Sequence, residues 1–134
     1  MQNVLCLRNK TDNIMKRIQL KRVYQDPEPS DGFRIFVDRL WPRGVRKAAL
    51  LYELWAKDIT PSPSLRQWFH EDSDSHWEIF RALYRQELEA SPPVESFLKT
   101  IAEYPVITLL FASKSVNHNH AIILKDFLDK RCNP

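Results

Sequence analysis

The sequence predicts a single α/β domain in which a small, mostly parallel sheet is layered with helices. At 134 residues, the chain has the length of one domain. Its predicted elements run from strands through helices to a buried strand and a last helix, an order that favours a parallel sheet covered by helices. The segment 106–112 is apolar except at Thr108, which is typical of a strand covered on both faces.

Two further strands are predicted in the first third of the chain. Residues 18–23 alternate imperfectly between apolar and polar side chains, and residues 33–37 are mainly β-branched and aromatic. The intervening segment 25–32 is rich in proline, aspartate and glycine and indicates an exposed loop. Residues 52–56 fit a strand or a helix equally well.

Helices are predicted after residue 60. Ser62, followed by Pro63, predicts the N-cap and first position of a short helix that runs through Trp68. Ser73 or Asp74 predicts the N-cap of a longer helix, whose apolar residues recur at three- and four-residue steps. These apolar residues are Trp77, Phe80, Tyr84 and Leu88.

A proline pair and an asparagine delimit the remaining helices. Pro92 and Pro93 end the longer helix and begin the next one. Asn117 predicts the N-cap of the last helix. The inward-facing residues of that helix are Ala121, Leu124 and Leu128.

Composition excludes several classes of protein. No segment approaches the ~20 apolar residues that span a bilayer, so no membrane partner is expected. The two glycines, Gly32 and Gly44, cannot form a Walker loop or a dinucleotide fingerprint, and no cofactor is predicted. Cys6 and Cys132 lie near opposite ends without metal-ligand spacing, which predicts neither a disulfide framework nor a zinc site and favours a reducing cytoplasm.

The two ends of the chain differ in order and in charge. Residues 1–14 lack periodicity and are predicted to be a poorly ordered extension, and residues 15–134 to form the single domain. Residues 1–50 carry 11 lysines and arginines against 5 acidic residues, a net charge of +6. Residues 51–134 carry 9 against 12, a net charge of −3. Such asymmetry indicates a face that meets anions.

Polar side chains follow two of the predicted strands directly, in the segments 37–44 and 111–120. Ligands of open α/β sheets collect beyond the carboxyl ends of the strands. If these two strands are neighbours, five polar side chains converge in one crevice. They are Asp38, Arg39, Arg43, Lys114 and His118.

The residue types in this crevice suit an anionic ligand. Arg39 and Arg43 offer planar forks for phosphate or carboxylate, and Lys114 offers a point charge. His118 is predicted in the first turn of the last helix, where the positive helix end disfavours its protonated form. A neutral imidazole is a candidate general acid or base, with Asp38 as its orienting partner.

Other readings of these residues stay open. Trp41 is a candidate stacking wall and Asn119 a candidate ligand-binding residue, although tryptophan more often anchors a core or loop. Asp38 and Arg39 could simply pair at the strand end. No metal site is predicted, because His118 and a second histidine two residues later point to opposite sides of a helix. His70 and His76 lie among acidic residues and are interpreted as solvated helix ends.

The run 37–44, Val-Asp-Arg-Leu-Trp-Pro-Arg-Gly, resembles the YeaO-like branch of the domain-of-unknown-function family DUF 488. Further similarity lies at Trp55, in the segment 65–69, in the helix that contains Trp77 and in the segment from Thr108 to Asn119, so that it covers about residues 17–129. The resemblance implies a bacterial or archaeal α/β protein without an established activity.

The resemblance also bears on a thiol or metal role. Relatives in a different branch resemble a Cys-x-Glu…Cys-His-Arg pattern around the final strand and helix. The matching positions of this chain are Phe111, Ser113, Asn119, His120 and Ala121. The thiol- or metal-based role of that branch is therefore not implied here.

The leading functional hypothesis is a site that binds a phosphorylated or otherwise anionic small ligand, with catalysis on that ligand left open. One alternative is a nucleic-acid-binding accessory module, based on the basic first half and on Trp41 among arginines. Another is a non-catalytic interaction domain in which the strand-end residues are structural. The sequence leaves the ligand, any reaction and the oligomeric state open.

Overall fold

The computed structural model describes residues 15–134, which form one α/β domain around a four-stranded, all-parallel sheet. The strands are β1 (Arg17–Arg22), β2 (Phe33–Phe36), β3 (Leu54–Trp55) and β4 (Val106–Phe111), in the spatial order β1-β4-β2-β3. The predicted fold class is confirmed. The predicted extension 1–14 lies outside the described residues.

Four helices follow β3 or β4 along the chain. They are α1 (Pro63–Glu71), α2 (Trp77–Glu89), α3 (Pro92–Ile101) and α4 (His120–Cys132). Short 3₁₀ helices occupy Pro29–Asp31, Lys47–Ala49 and Lys57–Ile59. None of the helices in the region 15–134 is long and apolar enough to span a bilayer.

The main core lies between one face of the sheet and the helices. Side chains of the sheet alternate, so that Ile35 of β2 and Leu109 of β4 face this core while their chain neighbours face away. All four helices contribute apolar side chains to the same core. Phe80 and Tyr84 of α2 are almost fully buried there, as their helical spacing predicts.

The opposite face of the sheet is covered by irregular segments. Near the carboxyl ends of the strands, Phe36 and Leu110 pack against Trp41 and Trp55. The helices therefore cover one face only, and the long connections between β1 and β3 cover the other.

A buried ionic network covers the rest of that face. Asp31 accepts hydrogen bonds from Lys21 (2.8 Å), from the backbone of Glu28 (3.0 Å) and from Arg34. Burial of Asp31 disfavours its charged form, but these hydrogen bonds outweigh burial and hold its pKa below the ordinary value. The backbone oxygen of Asp31 accepts from Thr108 at 2.7 Å. This contact explains the polar residue in the otherwise apolar β4.

Two helix starts differ from the sequence prediction. Helix α2 begins at Trp77, since residues 73–76 form turns and Asp72 accepts from the backbone of Ser75 at 3.3 Å. Helix α4 is capped by Asn119 and not by Asn117. The Oδ1 atom of Asn119 accepts from the backbone of Ile122 at 3.1 Å, and its backbone is extended.

The other boundaries are close to the prediction. Ser62 caps α1 as predicted, and the helix continues three residues beyond Trp68. The segment 52–56 contains the short strand β3, which pairs with the carboxyl end of β2.

The two glycines allow a paired test of the packing between the first loop and β4. Gly32 has a φ of 62°, and a Cβ there would overlap the carbonyl oxygen of Val106; Gly44 has a φ of 77° and open space around it. We expect Gly32→Ala to lower the free energy of unfolding by about 3 kcal/mol or more, through strain plus overlap. We expect Gly44→Ala to cost only about 1 kcal/mol, through strain alone. Urea denaturation measures both, and equal losses would contradict the close approach at Gly32.

Candidate functional site

The two polar segments that follow strands leave neighbouring strands of the sheet. Phe36 at the end of β2 pairs with Leu110 of β4, and the backbone of Val37 donates to the carbonyl of Leu110 at 3.0 Å. The chain therefore leaves both strands at the same edge. The adjacency on which the predicted crevice depends is confirmed.

Asp38 joins several elements at this edge. Its Oδ2 atom accepts from the backbone N–H of Ala112 at 3.0 Å. Its Oδ1 atom lies 3.1 Å from Nε2 of His120. Its backbone carbonyl accepts from Nε1 of Trp55 at 2.7 Å. The Asp38 side chain is only 17% exposed, so its carboxylate is held largely by protein groups.

His120 is the imidazole that faces Asp38. It is the first residue of α4, and its Nε2 atom lies 2.8 Å from the carbonyl oxygen of Val37. Because that contact is the better aligned of the two, Oδ1 of Asp38 is buried without a well-directed donor. The ring also packs edge-on against buried Tyr84 of α2, with the centroids 6.5 Å apart.

His118 occupies a different place from the one that the sequence predicts. Its Nδ1 atom lies 2.8 Å from Oδ1 of exposed Asp74, and its ring stacks on Trp77 with centroids 4.8 Å apart. The structure thus pairs Asp38 with His120 and not with His118. The reason is the helix start: with Asn119 as the N-cap, His118 precedes the helix and His120 begins it.

A cleft of about 490 Å³ lies between the loop after β2 and helix α1. Its lining residues are Arg39, Leu40, Pro63, Arg66, Gln67 and His70. Neither Arg39 nor Arg66 makes an ion pair with a carboxylate of the described residues. The cleft therefore contains two guanidinium groups whose charge is not neutralised by a carboxylate of residues 15–134.

His70 connects the cleft with the Asp38–His120 pair. Partial burial lowers the pKa of His70, and electrostatic interaction with Arg66 and with His120 lowers it further. The carboxylate of Asp38 acts in the opposite direction but does not prevail. His70, at the cleft, therefore also interacts electrostatically with the strand-end pair.

The other predicted ligand-binding residues lie outside the cleft. Arg43 and Lys114 are exposed and are not among its lining residues. Trp41 donates to the carbonyl of Val45 at 2.7 Å and packs against Phe36, on the face of the sheet opposite the helices. Of the predicted ligand-binding side chains, the structure brings Arg39 alone to the cleft.

Asn119 is fully engaged in the protein. It is buried, its Oδ1 atom caps α4, and its Nδ2 atom donates to the carbonyl of Ser115 at 2.8 Å. The amide has a structural role at the start of the helix.

Sequence reasoning did not assign Arg66, Gln67, His70 or His120 to the site. His70 is exposed in the last turn of α1, as its interpretation as a solvated helix end predicts, and it also lines the cleft. The available signal was spacing, because Arg66 and His70 lie four residues apart and therefore share one face of α1. No group of three His, Cys, Asp or Glu side chains in residues 15–134 is arranged to hold a metal ion.

The fold and the cleft define a small parallel α/β domain with a basic crevice at the carboxyl edge of its sheet. The chain belongs to the DUF488 family, since residues 17–133 match the family model described as the inactive DUF488-N3 subclade. This confirms the resemblance seen in the sequence.

Curated relatives carry no functional name. The chain is 45% identical over 111 residues to the uncharacterized protein YeaO of Escherichia coli (strain K12), covering 83% of this chain and 96% of the relative. It is 36% identical over 115 residues to the uncharacterized protein Rv3073c of Mycobacterium tuberculosis (strain H37Rv), covering 86% and 96%. No solved structure matches the chain significantly.

The two carboxylate–histidine pairs allow a matched test of the strand-end geometry. We expect Asp38→Ala to lower the free energy of unfolding by about 2 kcal/mol, because it leaves the N–H of Ala112 without its acceptor. We expect Asp74→Ala to cost less than about 1 kcal/mol, because the Asp74 side chain is 84% exposed. Chemical denaturation compares the two variants. Similar losses would contradict the structural role of Asp38.

Proposed function

We propose that this protein binds a small anionic ligand, phosphorylated or carboxylate-bearing, in the cleft between the loop after β2 and helix α1. The observation that carries the proposal is that Arg39 and Arg66 both line the cleft and neither pairs with a carboxylate of the described residues. Guanidinium groups bind phosphate and carboxylate through paired hydrogen bonds. A ligand anion supplies the charge that the cleft lacks.

The size and the remaining lining residues of the cleft support this proposal. Its volume of about 490 Å³ falls within the range of small-molecule sites, roughly 300–1,000 Å³. Leu40 and Pro63 offer apolar contacts for the uncharged part of a ligand, and Gln67 offers both a donor and an acceptor.

The proposal is one of binding without turnover. The matching family model is described as an inactive subclade, which supports the absence of a reaction. The acid–base role predicted for Asp38 and His118 is not part of it, because these side chains contact His120 and Asp74 respectively. We also propose a cytoplasmic location, because the spacing of the two cysteines does not indicate a disulfide framework.

Arginine variants test the cleft directly. We expect sulfate and inorganic phosphate to bind the wild type, and we expect Arg39→Ala and Arg66→Ala each to weaken binding by roughly tenfold or more, through loss of a charge-assisted hydrogen bond. Arg17→Ala is the matched control, since Arg17 is an exposed arginine at the amino end of β1. Isothermal titration calorimetry gives the affinities.

Two results of that titration would refute the proposal. One is no binding of either anion to the wild type. The other is an equal loss in all three variants, which would indicate attraction by net charge alone. Steep loss of oligonucleotide binding with salt, together with absent sulfate binding, would instead favour the nucleic-acid alternative.

Binding should also depend on pH through His70. Because the pKa of His70 is lowered in the free protein, the ring is neutral near pH 7, and its protonation adds a positive charge to the cleft. An anion favours the protonated ring, so we expect sulfate affinity to rise severalfold as the pH falls from about 8 to about 5.5. Sulfate is the suitable probe because its own charge is constant over this interval.

A pair of histidine variants identifies the group responsible. His70→Gln should flatten the pH profile of sulfate affinity, whereas His118→Gln should leave it unchanged. A profile that His118→Gln flattens, and His70→Gln does not, would contradict the role of His70 and the location of the anion in the cleft.

A further inference from the structure

Three loops meet at the carboxyl edge of the sheet, outside the cleft. The hydroxyl of Tyr24, in the loop after β1, donates to the carbonyl oxygen of Arg43 at 3.2 Å. The guanidinium group of Arg22 donates to the carbonyl oxygens of Ala112 (3.0 Å) and Ser113 (2.9 Å), in the loop after β4. These hydrogen bonds join the loops after β1, β2 and β4 into one continuous surface.

This surface is positively charged. Arg43 and Lys114 are exposed, and neither pairs with a carboxylate in the part of the chain that the structure describes. The hydrogen-bond acceptors of Arg22 are backbone oxygens, so its charge is not matched by a carboxylate either. The segment 39–52, which forms most of the loop after β2, contains four cationic residues and no acidic residue. A surface of this composition attracts a polyanion.

Tyr24 adds an aromatic ring to the charged surface. It is 50% exposed, and the central guanidinium carbon of Arg22 lies 4.8 Å from its ring centroid. Its hydrogen bond to the backbone of Arg43 holds the ring beside a second arginine. Trp41, the aromatic residue that the sequence offers for this role, packs against Phe36. An exposed ring next to unneutralised arginines can stack on a nucleobase while the cations bind phosphates.

The form of the surface distinguishes between kinds of nucleic acid. The surface consists of irregular loops, whereas α1 to α4 pack on the other face of the sheet. Within residues 15–134, this surface therefore presents no α-helix to the major groove of a duplex. Stacking on Tyr24 requires a base that is free of its neighbours. A flexible single strand thus fits the surface better than a duplex.

We propose that this surface binds single-stranded nucleic acid, with phosphates on Arg43 and Lys114 and one base stacked on Tyr24. The inference does not depend on the proposed function of the cleft, because none of these three residues lines it. Charge and stacking are available from every nucleotide, so the binding tolerates changes of base sequence.

The salt dependence of binding tests the phosphate contacts. We expect a labelled oligothymidylate of about twelve nucleotides to bind the wild type, with an affinity that falls as salt rises. Arg43→Ala and Lys114→Ala should each reduce the slope of the logarithm of affinity against that of salt concentration by about 0.7, the value for one phosphate contact of a single strand. Arg17→Ala is the matched control, since Arg17 is exposed at the amino end of β1, and it should leave the slope unchanged. Fluorescence anisotropy measures each affinity.

Two variants of Tyr24 test the stacking contact. We expect Tyr24→Ala to weaken binding by roughly tenfold, because one base loses its stacking partner. The slope with salt should stay the same, because the lost contact carries no charge. Tyr24→Phe keeps the ring and should retain most of the affinity. A Tyr24→Ala variant that binds as the wild type does would overturn the stacking contact.

Four further results would overturn the inference. The first is no binding of the oligonucleotide to the wild type. The second is an equal change of slope in Arg17→Ala and Arg43→Ala, which would indicate attraction by net charge alone. The third is a duplex of the same length that binds as tightly as the single strand. The fourth is binding of vesicles that contain phosphatidylserine in place of the oligonucleotide, which would assign the surface to an anionic membrane.

Discussion

The arrangement of the carboxyl edge depends on one residue, Asp38. Its carboxylate binds the first free amide after β4 and faces the first side chain of α4, while its carbonyl holds the indole of Trp55 at the edge strand β3. Three connections of the chain therefore meet at one buried residue. Because the carboxylate of Asp38 binds the N–H of Ala112 and the carbonyl of the preceding Val37 binds the imidazole of His120, one short stretch of backbone fixes both groups. The next two residues, Arg39 and Leu40, turn outward and reach the cleft.

The unequal cover of the two sheet faces explains where the rest of the run 37–44 goes. The helices pack on one face, so the other requires apolar side chains from loops. Trp41 supplies such a side chain. Its ring centroid lies 5.7 Å from that of Phe36 and 5.6 Å from that of Trp55. Aromatic contacts of this kind contribute about 0.5–1.5 kcal/mol each beyond burial. The same eight-residue run thus sends Arg39 to the ligand side and Trp41 to the core of the opposite face. The charged side chain of Arg39 and the aromatic side chain of Trp41 are close in sequence but lie on different sides of the sheet.

Local sequence patterns predict those elements of the fold whose residue types are set by burial or by helix capping. The apolar segment 106–112 predicts the central strand, because a strand buried on both faces requires apolar residues throughout. Ser62 predicts the start of α1, because it is a residue type that caps helices. The sequence does not decide where α4 begins, since Asn117 and Asn119 are both good N-caps. Tertiary packing decides between them: Asn119 is buried and bonded to Ser115 and Ile122. A shift of two residues rotates a helix face by about 200°, which exchanges His118 for His120 beside Asp38. The side chains of α1 that line the cleft were missed because only the fold brings this helix to the loop after β2.

The position of Asn119 also connects the family pattern with the chemistry of the site. Another branch of the family resembles a pattern with cysteine at this position, where a thiol at a helix start gains reactivity from the positive helix end. Here the position is occupied by an amide whose oxygen and nitrogen are both consumed by backbone groups, so the helix start is kept and the reactive group is absent. The next residue, His120, faces Asp38 through Nε2 at 3.1 Å. A helix start capped by this amide therefore offers no thiolate nucleophile, and the first side chain of the helix is the imidazole that faces Asp38.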